Sequence, residues 1–235
     1  MKLLLISNST NAGDTYLRHP SEQIGKFLAN TVGQVLFIPY AAVTFSYNEY
    51  EKKVQDRFAQ LGYGVNSIHH SSSPVKAVEE SECIVIGGGN TWQLTRCLHD
   101  NKLIEAIREK VLSGTPFIGW SAGANVACPT IRTTNDMPIV DPLGLHACNF
   151  VPFQINPHYL DAHPEGHAGE TREQRIQEFI EINPDLYVVG LREGTMLELI
   201  DRQIMLIGPR PARIFRKSQS PVEVNPGDDL SFLLQ

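Results

Sequence analysis

Phe117-Ile118-Gly119-Trp120-Ser121-Ala122-Gly123-Ala124-Asn125 joins a strand-like apolar run to Gly-x-Ser-x-Gly, and its reading decides the fold. That is the outline of a nucleophile elbow. A serine on a sharp strand-to-helix turn holds its hydroxyl clear of a sheet, and glycines two residues before and after it let the backbone turn without steric clash. The residue after the serine opens the helix, which leaves the Ala122 amide free to donate to an oxyanion with the positive end of the helix dipole behind it. The same five residues also fit a buried serine in a tight turn. What favours the elbow is its context, a strand before it and a helix after it.

Outward from this turn the pattern repeats. Leu3 to Ile6, Gln34 to Pro39, Val65 to His69, Cys83 to Ile86 and Pro116 to Trp120 are short apolar or β-branched runs separated by helix-period segments. Such alternation predicts βαβ units and an α/β fold, a mostly parallel sheet with helices on both faces. The helix starts are punctuated: Ser46-Tyr47-Asn48-Glu49 and Thr171-Arg172-Glu173-Gln174 are capping boxes, and Ser73-Pro74 sets an N-cap before a first-turn proline. Tyr50, Val54, Phe58 and Leu61, then Leu103, Ile104, Ile107 and Val111, then Ile176, Phe179 and Ile180 recur at helical spacing as core stripes.

A second glycine-rich turn, Gly87-Gly88-Gly89-Asn90-Thr91, follows the strand ending at Ile86 and precedes a helix beginning Trp92-Gln93-Leu94. It has neither Gly-x-Gly-x-x-Gly spacing nor a Walker lysine, so nucleotide binding is a poor reading. A Gly89 amide beside the serine suits an oxyanion hole better, and Asn90 is a substrate-binding candidate. Beyond Ser121 a short helix runs to about Cys128, and Thr130 to Pro142 is too polar and proline-broken for a regular element. Phe150 to Asn156 reads as a strand with His158 just past it, and Leu186 to Leu191 as another with Arg192-Glu193-Gly194 just past it. His163-Pro164-Glu165-Gly166-His167 resembles a metal pair, but proline and glycine block the helix that would bring both histidines onto one face. A loop from Asp161 to Glu170 that orders over bound substrate is the expectation there. From Met196 the strands shorten, Leu197 to Ile200, Gln203 to Ile207 and Ala212 to Phe215, as an antiparallel extension at the sheet edge. No linker divides residues 1–235, which read as a single domain.

At 42% hydrophobic, 20% charged and net charge −6 without a basic cluster, the chain offers no electrostatic footprint for nucleic acid or an anionic membrane. Leu3 to Ile6 meets Ser7-Asn8-Ser9-Thr10 too soon for a signal peptide, and no run approaches the ~18 apolar residues of a membrane span. A cytoplasmic protein is expected. Cys83, Cys97, Cys128 and Cys148 lack paired spacing and read as buried free thiols.

Gly89, Ser121, His158 and Glu193 each fall immediately after an expected strand, so parallel strands would gather them at the carboxyl edge of one sheet. They would supply an oxyanion donor, a nucleophile, a base and an acid to orient the base. Asp136 is a second acid candidate, because Ser121, Asp136, His158 follows the chain order of the α/β-hydrolases.

On these residues the chain resembles the aspartyl dipeptidases known as peptidase E. The resemblance is carried by LLLISNST from Leu3, GGGNT from Gly87, GWSAGANVACPTIRTTNDMPIVDP from Gly119, INPH from Ile155, PEGHAGETREQRI from Pro164 and the GLREG around Glu193. It implies a cytoplasmic serine peptidase that cleaves dipeptides with an N-terminal aspartate, on a sheet like that of the class I glutamine amidotransferases, and it requires no metal or cofactor. By position it makes Ser121 the nucleophile, His158 the base, and Glu193 or Asp136 the acid. Aspartate preference needs a cation near the first side chain, since a desolvated carboxylate without a partner is costly, and Arg132 and Arg172 are the candidates. The implied partner is a small dipeptide, with self-association left open. A cyanophycinase-like hydrolase would need a longer open groove, and a binding module would have lost a triad member.

Overall fold

The computed structural model of the chain describes residues 1–29, 33–161, 166 and 168–235. In chain order the elements begin with β1 (Lys2–Ile6), α1 (Ser21–Leu28), β2 (Gln34–Ile38), α2 (Tyr47–Gln60), β3 (Gly64–Ser67), α3 (Pro74–Glu79) and β4 (Ile84–Ile86). They continue with α4 (Thr91–Asp100), α5 (Leu103–Leu112), β5 (Phe117–Trp120), α6 (Ala122–Asn125), β6 (Gln154–Tyr159) and α7 (Arg172–Ile182). Five strands complete the chain: β7 (Val188–Arg192), β8 (Met196–Ile200), β9 (Gln203–Ile207), β10 (Ala212–Phe215) and β11 (Val222–Val224).

The main sheet has seven strands in the order β3-β2-β4-β5-β1-β8-β9. The first five are parallel, and β8 and β9 continue antiparallel from β1. Alternate residues of the same strands feed two apolar layers, as period-two geometry requires. Leu4, Ile6, Phe37 and Val85 pack on the side of α1 and α2, with Ile24, Val54 and Phe58. Leu3, Leu5, Ile38 and Ile86 pack on the other side, with Val78, Leu94, Leu103 and Val111 from α3, α4 and α5. Both expected capping boxes form, at Ser46 with Glu49 and at Thr171 with Gln174. The Ser73 side chain caps nothing, although Pro74 does open α3.

The expected single sheet is in fact two. Strands β6 and β7 pair in parallel in a second, four-stranded sheet of order β11-β10-β7-β6. They cannot join the main sheet at β1, because β5 and β8 already occupy both of its edges. Strand β10 likewise does not extend the main sheet after β9 but pairs with β7 and β11. The second sheet buries Ile155, Val189 and Leu191 toward the main sheet's α3–α5 side, and Tyr159, Val188 and Phe215 toward α7.

Boundaries differ most at three places. The third strand ends at Ser67 and passes into a 3-10 turn over Ile68–His70. The helix after Ser121 ends at Asn125 rather than near Cys128. Phe150 and Phe153 are buried without belonging to a strand, and β6 runs on through Pro157 and His158 to Tyr159. Pro157 is tolerated there because β6 is an edge strand and owes no amide to a further neighbour. Half of the loop expected to order over substrate, including both His163 and His167, lies outside the described residues. Burial pushes the Cys83, Cys128 and Cys148 thiols up to about 12, and all four cysteines are free. No helix among the described residues is long and apolar enough to cross a membrane.

Candidate active site

Ser121 sits between β5 and α6 with φ 54° and ψ −112°, a sparsely populated conformation that costs about 1–3 kcal/mol and survives only where its surroundings enforce it. The flanking glycines supply the enforcement. A Cβ on Gly123 would stand 2.1 Å from the Ile86 carbonyl oxygen, and one on Gly119 would stand 2.3 Å from the Gly123 carbonyl oxygen, so helix and strand can meet this closely only without side chains. The Ser121 amide donates to the Ile6 carbonyl, which ties the elbow to the end of β1.

His158 lies inside β6, not past it, at a bulge between Pro157 and Tyr159 and with φ 53°. The bulge turns the imidazole out of the pleat toward the main sheet. Its Nε2 is 3.0 Å from Ser121 Oγ and its Nδ1 is 2.7 Å from Glu193 Oε1. Glu193 follows β7, so the strand parallel to β6 delivers the carboxylate. A hydroxyl, an imidazole and a carboxylate thus stand in one hydrogen-bonded row, in which the imidazole can take the hydroxyl proton while the carboxylate fixes its tautomer.

Asp136 does not enter that row. Its Oδ2 accepts from the Thr91 amide at 2.8 Å and from the Thr91 and Thr134 hydroxyls, and the Trp92 indole donates to its backbone carbonyl. The carboxylate therefore satisfies the amino end of α4, where a negative charge also meets the helix dipole. Asn90 is likewise occupied. It is the N-cap of α4, with Oδ1 accepting from the Gln93 amide and Nδ2 donating to the Met137 carbonyl, so the side chain expected to bind substrate is engaged in holding a loop. Arg132 is exposed, donates to Thr130 Oγ1, lies over the Phe179 ring, and lines a neighbouring cavity rather than the one at Ser121. Arg172, the first residue of α7, does line the Ser121 cavity and makes no hydrogen bond or ion pair among the described residues. Burial draws its guanidinium below the usual arginine value, with Arg175 adding to the effect and Asp136 opposing it.

Gly88 and Gly89 pass directly beside the serine: a Cβ on Gly88 would stand 3.0 Å from Ser121 Cβ, and one on Gly89, at φ +137°, 2.2 Å from the Ala41 carbonyl oxygen. Neither the Gly89 nor the Ala122 amide donates to a protein acceptor among the described residues. Tyr50 Oη donates to the Gly88 carbonyl at 2.9 Å. Because carbonyl and amide of one trans peptide point in opposite directions, this bond turns the Gly89 N–H away from Tyr50. Burial pushes the Tyr50 phenol up to about 12, so it remains a donor at neutral pH.

Three further residues support the site, and the sequence reading gave none of them that role. Ser7 is fully buried; its hydroxyl accepts from the His158 amide at 3.0 Å and donates to the Leu191 carbonyl at 2.7 Å. Asn8 Oδ1 accepts from the Gly194 amide at 2.8 Å, next to Glu193. Tyr50 is the third. The signal for the first two was a polar pair ending an apolar strand, which a helix or loop reading leaves without a task.

A serine, an imidazole and a carboxylate so aligned beside a glycine-rich turn, on a parallel α/β sheet, define a serine hydrolase. The model of peptidase family S51 matches residues 3–207, and the chain belongs to that family; it is a serine-type peptidase. Peptidase E of Nostoc sp. is 50% identical over 234 residues, covering 100% of this chain and 97% of the relative. Peptidase E of Salmonella paratyphi A is 46% identical over 227 residues, 97% of this chain and 99% of the relative. The fold is shared with the crystal structure of a peptidase from an acI-B1 actinobacterium, with TM-score 0.72 at 18% identity over 98% of this chain and 96% of that one.

Proposed function

We propose that this chain is a single-domain cytoplasmic dipeptidase that hydrolyses Asp-X through an acyl-enzyme, without metal or cofactor. The observation that carries the reading is the row from Ser121 Oγ through His158 to Glu193 Oε1, at 3.0 and 2.7 Å, bordering a cavity of about 560 Å³ that also holds the uncompensated Arg172. The resemblance to peptidase E supplies the aspartate.

In this mechanism His158 Nε2 takes the Ser121 proton as Oγ attacks the aspartyl carbonyl, and Glu193 stabilises the imidazolium. The oxyanion is received by the Ala122 and Gly89 amides. The imidazolium then protonates the leaving amine, and water repeats the cycle on the ester. Arg172 pairs with the substrate's β-carboxylate, because a guanidinium fork already removed from bulk water loses little on closing over a carboxylate. Asp136 Oδ1, unlike Oδ2, has no partner among the described residues, and lies on the cavity wall as a counter-charge for the free amino terminus.

Turnover of Asp-Leu, Glu-Leu, Asn-Leu and N-acetyl-Asp-Leu, followed by release of free leucine, tests this. Asp-Leu is expected to be cleaved, and Ser121→Ala to abolish cleavage. Comparable turnover of N-acetyl-Asp-Leu or of long peptides would overturn the dipeptidase reading.

A further inference from the structure

The Ser121 cavity contains a second cation with no assigned task. Lys53 projects from α2 and lines the same cavity as Ser121, Tyr16, Phe45 and Arg172. Its side chain is exposed yet meets no acid among the described residues. Its ammonium lies 4.3 Å from the centroid of the Tyr16 ring. The adjacent Lys52 behaves as an ordinary surface lysine, bridging Asp56 one helical turn on. Tyr16 is itself fixed by edge-on contacts with Tyr50 and Trp120, so the ring that holds Lys53 is anchored to the residues beside the serine.

We propose that Lys53 is a specificity-determining residue that binds the free carboxyl terminus of the second substrate residue, and so restricts the enzyme to dipeptides. The inference rests on the Asp-X reading above. Its basis is a count of charges. The cavity is lined by two cations, Arg172 and Lys53, and one carboxylate, Asp136. An Asp-X dipeptide carries two carboxylates and one ammonium. In such a molecule each carboxyl carbon lies three bonds from the scissile carbonyl carbon, one on either side of it, so two cations lining the serine's cavity match the substrate's two carboxylates.

The assignment of each cation follows from its setting. Arg172 is half-buried and presents a planar fork, suited to one invariant side chain. Lys53 is exposed, and its compact ammonium with rotatable donors can meet a terminus whose position shifts with the second side chain. The exposed Phe45 ring beside it offers that side chain an apolar surface.

The test compares kcat/KM for Asp-Leu and for Asp-Leu-amide, which differ only in the terminal charge, in the wild type and in Lys53→Met, Lys53→Arg and Lys52→Met. The wild type should prefer the acid by ~10-fold or more, the scale of one charge-assisted hydrogen bond. Lys53→Met should bring that ratio close to one, Lys53→Arg should restore most of it, and Lys52→Met should keep it. Equal losses on both substrates in Lys53→Met, or an unchanged ratio, would overturn the assignment while leaving the aspartyl dipeptidase reading in place. A wild type that cleaves neither substrate would overturn that reading, and this inference with it.

Discussion

The two halves of the active site are built in different ways. On the main-sheet side, Gly88, Gly89 and Ser121 come from two strand-to-helix turns that sequence-local glycines allow to pack directly on neighbouring backbone. On the second-sheet side, His158 and Glu193 come from two strands whose ends are aligned by residues far away in sequence. Ser7 reaches across 151 residues to the His158 amide, and Asn8 across 186 to that of Gly194. A nucleophile can be positioned by local steric exclusion. A base and its carboxylate, which must meet that nucleophile from another sheet, need a tertiary clamp.

The sharpest way to break this comparison is Glu193→Gln against Asp136→Asn. The first should lower kcat by about 10³ to 10⁴, as when the orienting acid of a serine triad becomes its isosteric amide, with the fold retained. If Glu193→Gln keeps most activity while Asp136→Asn abolishes it at unchanged melting temperature, the acid is Asp136.

Ser7→Ala tests the clamp. It leaves the His158 amide and the Leu191 carbonyl without their partner, each at a cost of about 1–3 kcal/mol, and should lower kcat ~10- to 100-fold with KM little changed. A fall in melting temperature with kcat intact would reduce Ser7 to a stabilising residue.

Asp136→Asn has a smaller expected effect on chemistry. It weakens the cap of α4 by about 1 kcal/mol, or ~2–4 °C in Tm, and raises KM for Asp-Leu through the loss of a counter-charge. An unchanged KM would remove Asp136 from substrate binding.

The smallest effect sits behind β7, where buried Arg192 is held by Asp161 and Glu223. The Arg192 hydrogen bond keeps the Asp161 carboxyl below its ordinary value of 3.8. A depressed carboxyl contributes stability that is present in full above the ordinary value and is lost as pH falls toward the depressed one. Wild type should therefore exceed Asp161→Asn in Tm at pH 7, with the gap closing below about pH 4. A gap independent of pH would mean that shape rather than charge holds Arg192.

Sequence legibility followed the same division. The parallel βαβ order, the elbow at Ser121, both capping boxes and the helix stripes were readable, because each depends on neighbours within one turn or one strand. His158 and Glu193 were also legible as residues at strand ends. What misled the reading was the assumption that all strand ends share a sheet, and the treatment of Pro157 as a strand terminator when it stands in an unpaired edge. That Asn90 caps α4 and anchors the Met137 carbonyl was not legible, because the second of these partners lies 47 positions away. Ser7, Asn8, Tyr50 and Lys53 drew no attention as site residues, because each acts on atoms more than thirty positions away or on the substrate.

By itself, then, the sequence determined the local geometry of Ser121, the proposed nucleophile: glycine at 119 and 123 lets strand and helix approach without side chains between them, and the alternation of apolar residues gives that turn a parallel sheet to stand on. Tertiary structure alone decided which imidazole and which carboxylate face the serine. Antiparallel β8 takes the place beside β1, and His158 and Glu193 come instead from a second sheet, tied to the end of β1 by the buried hydroxyl of Ser7.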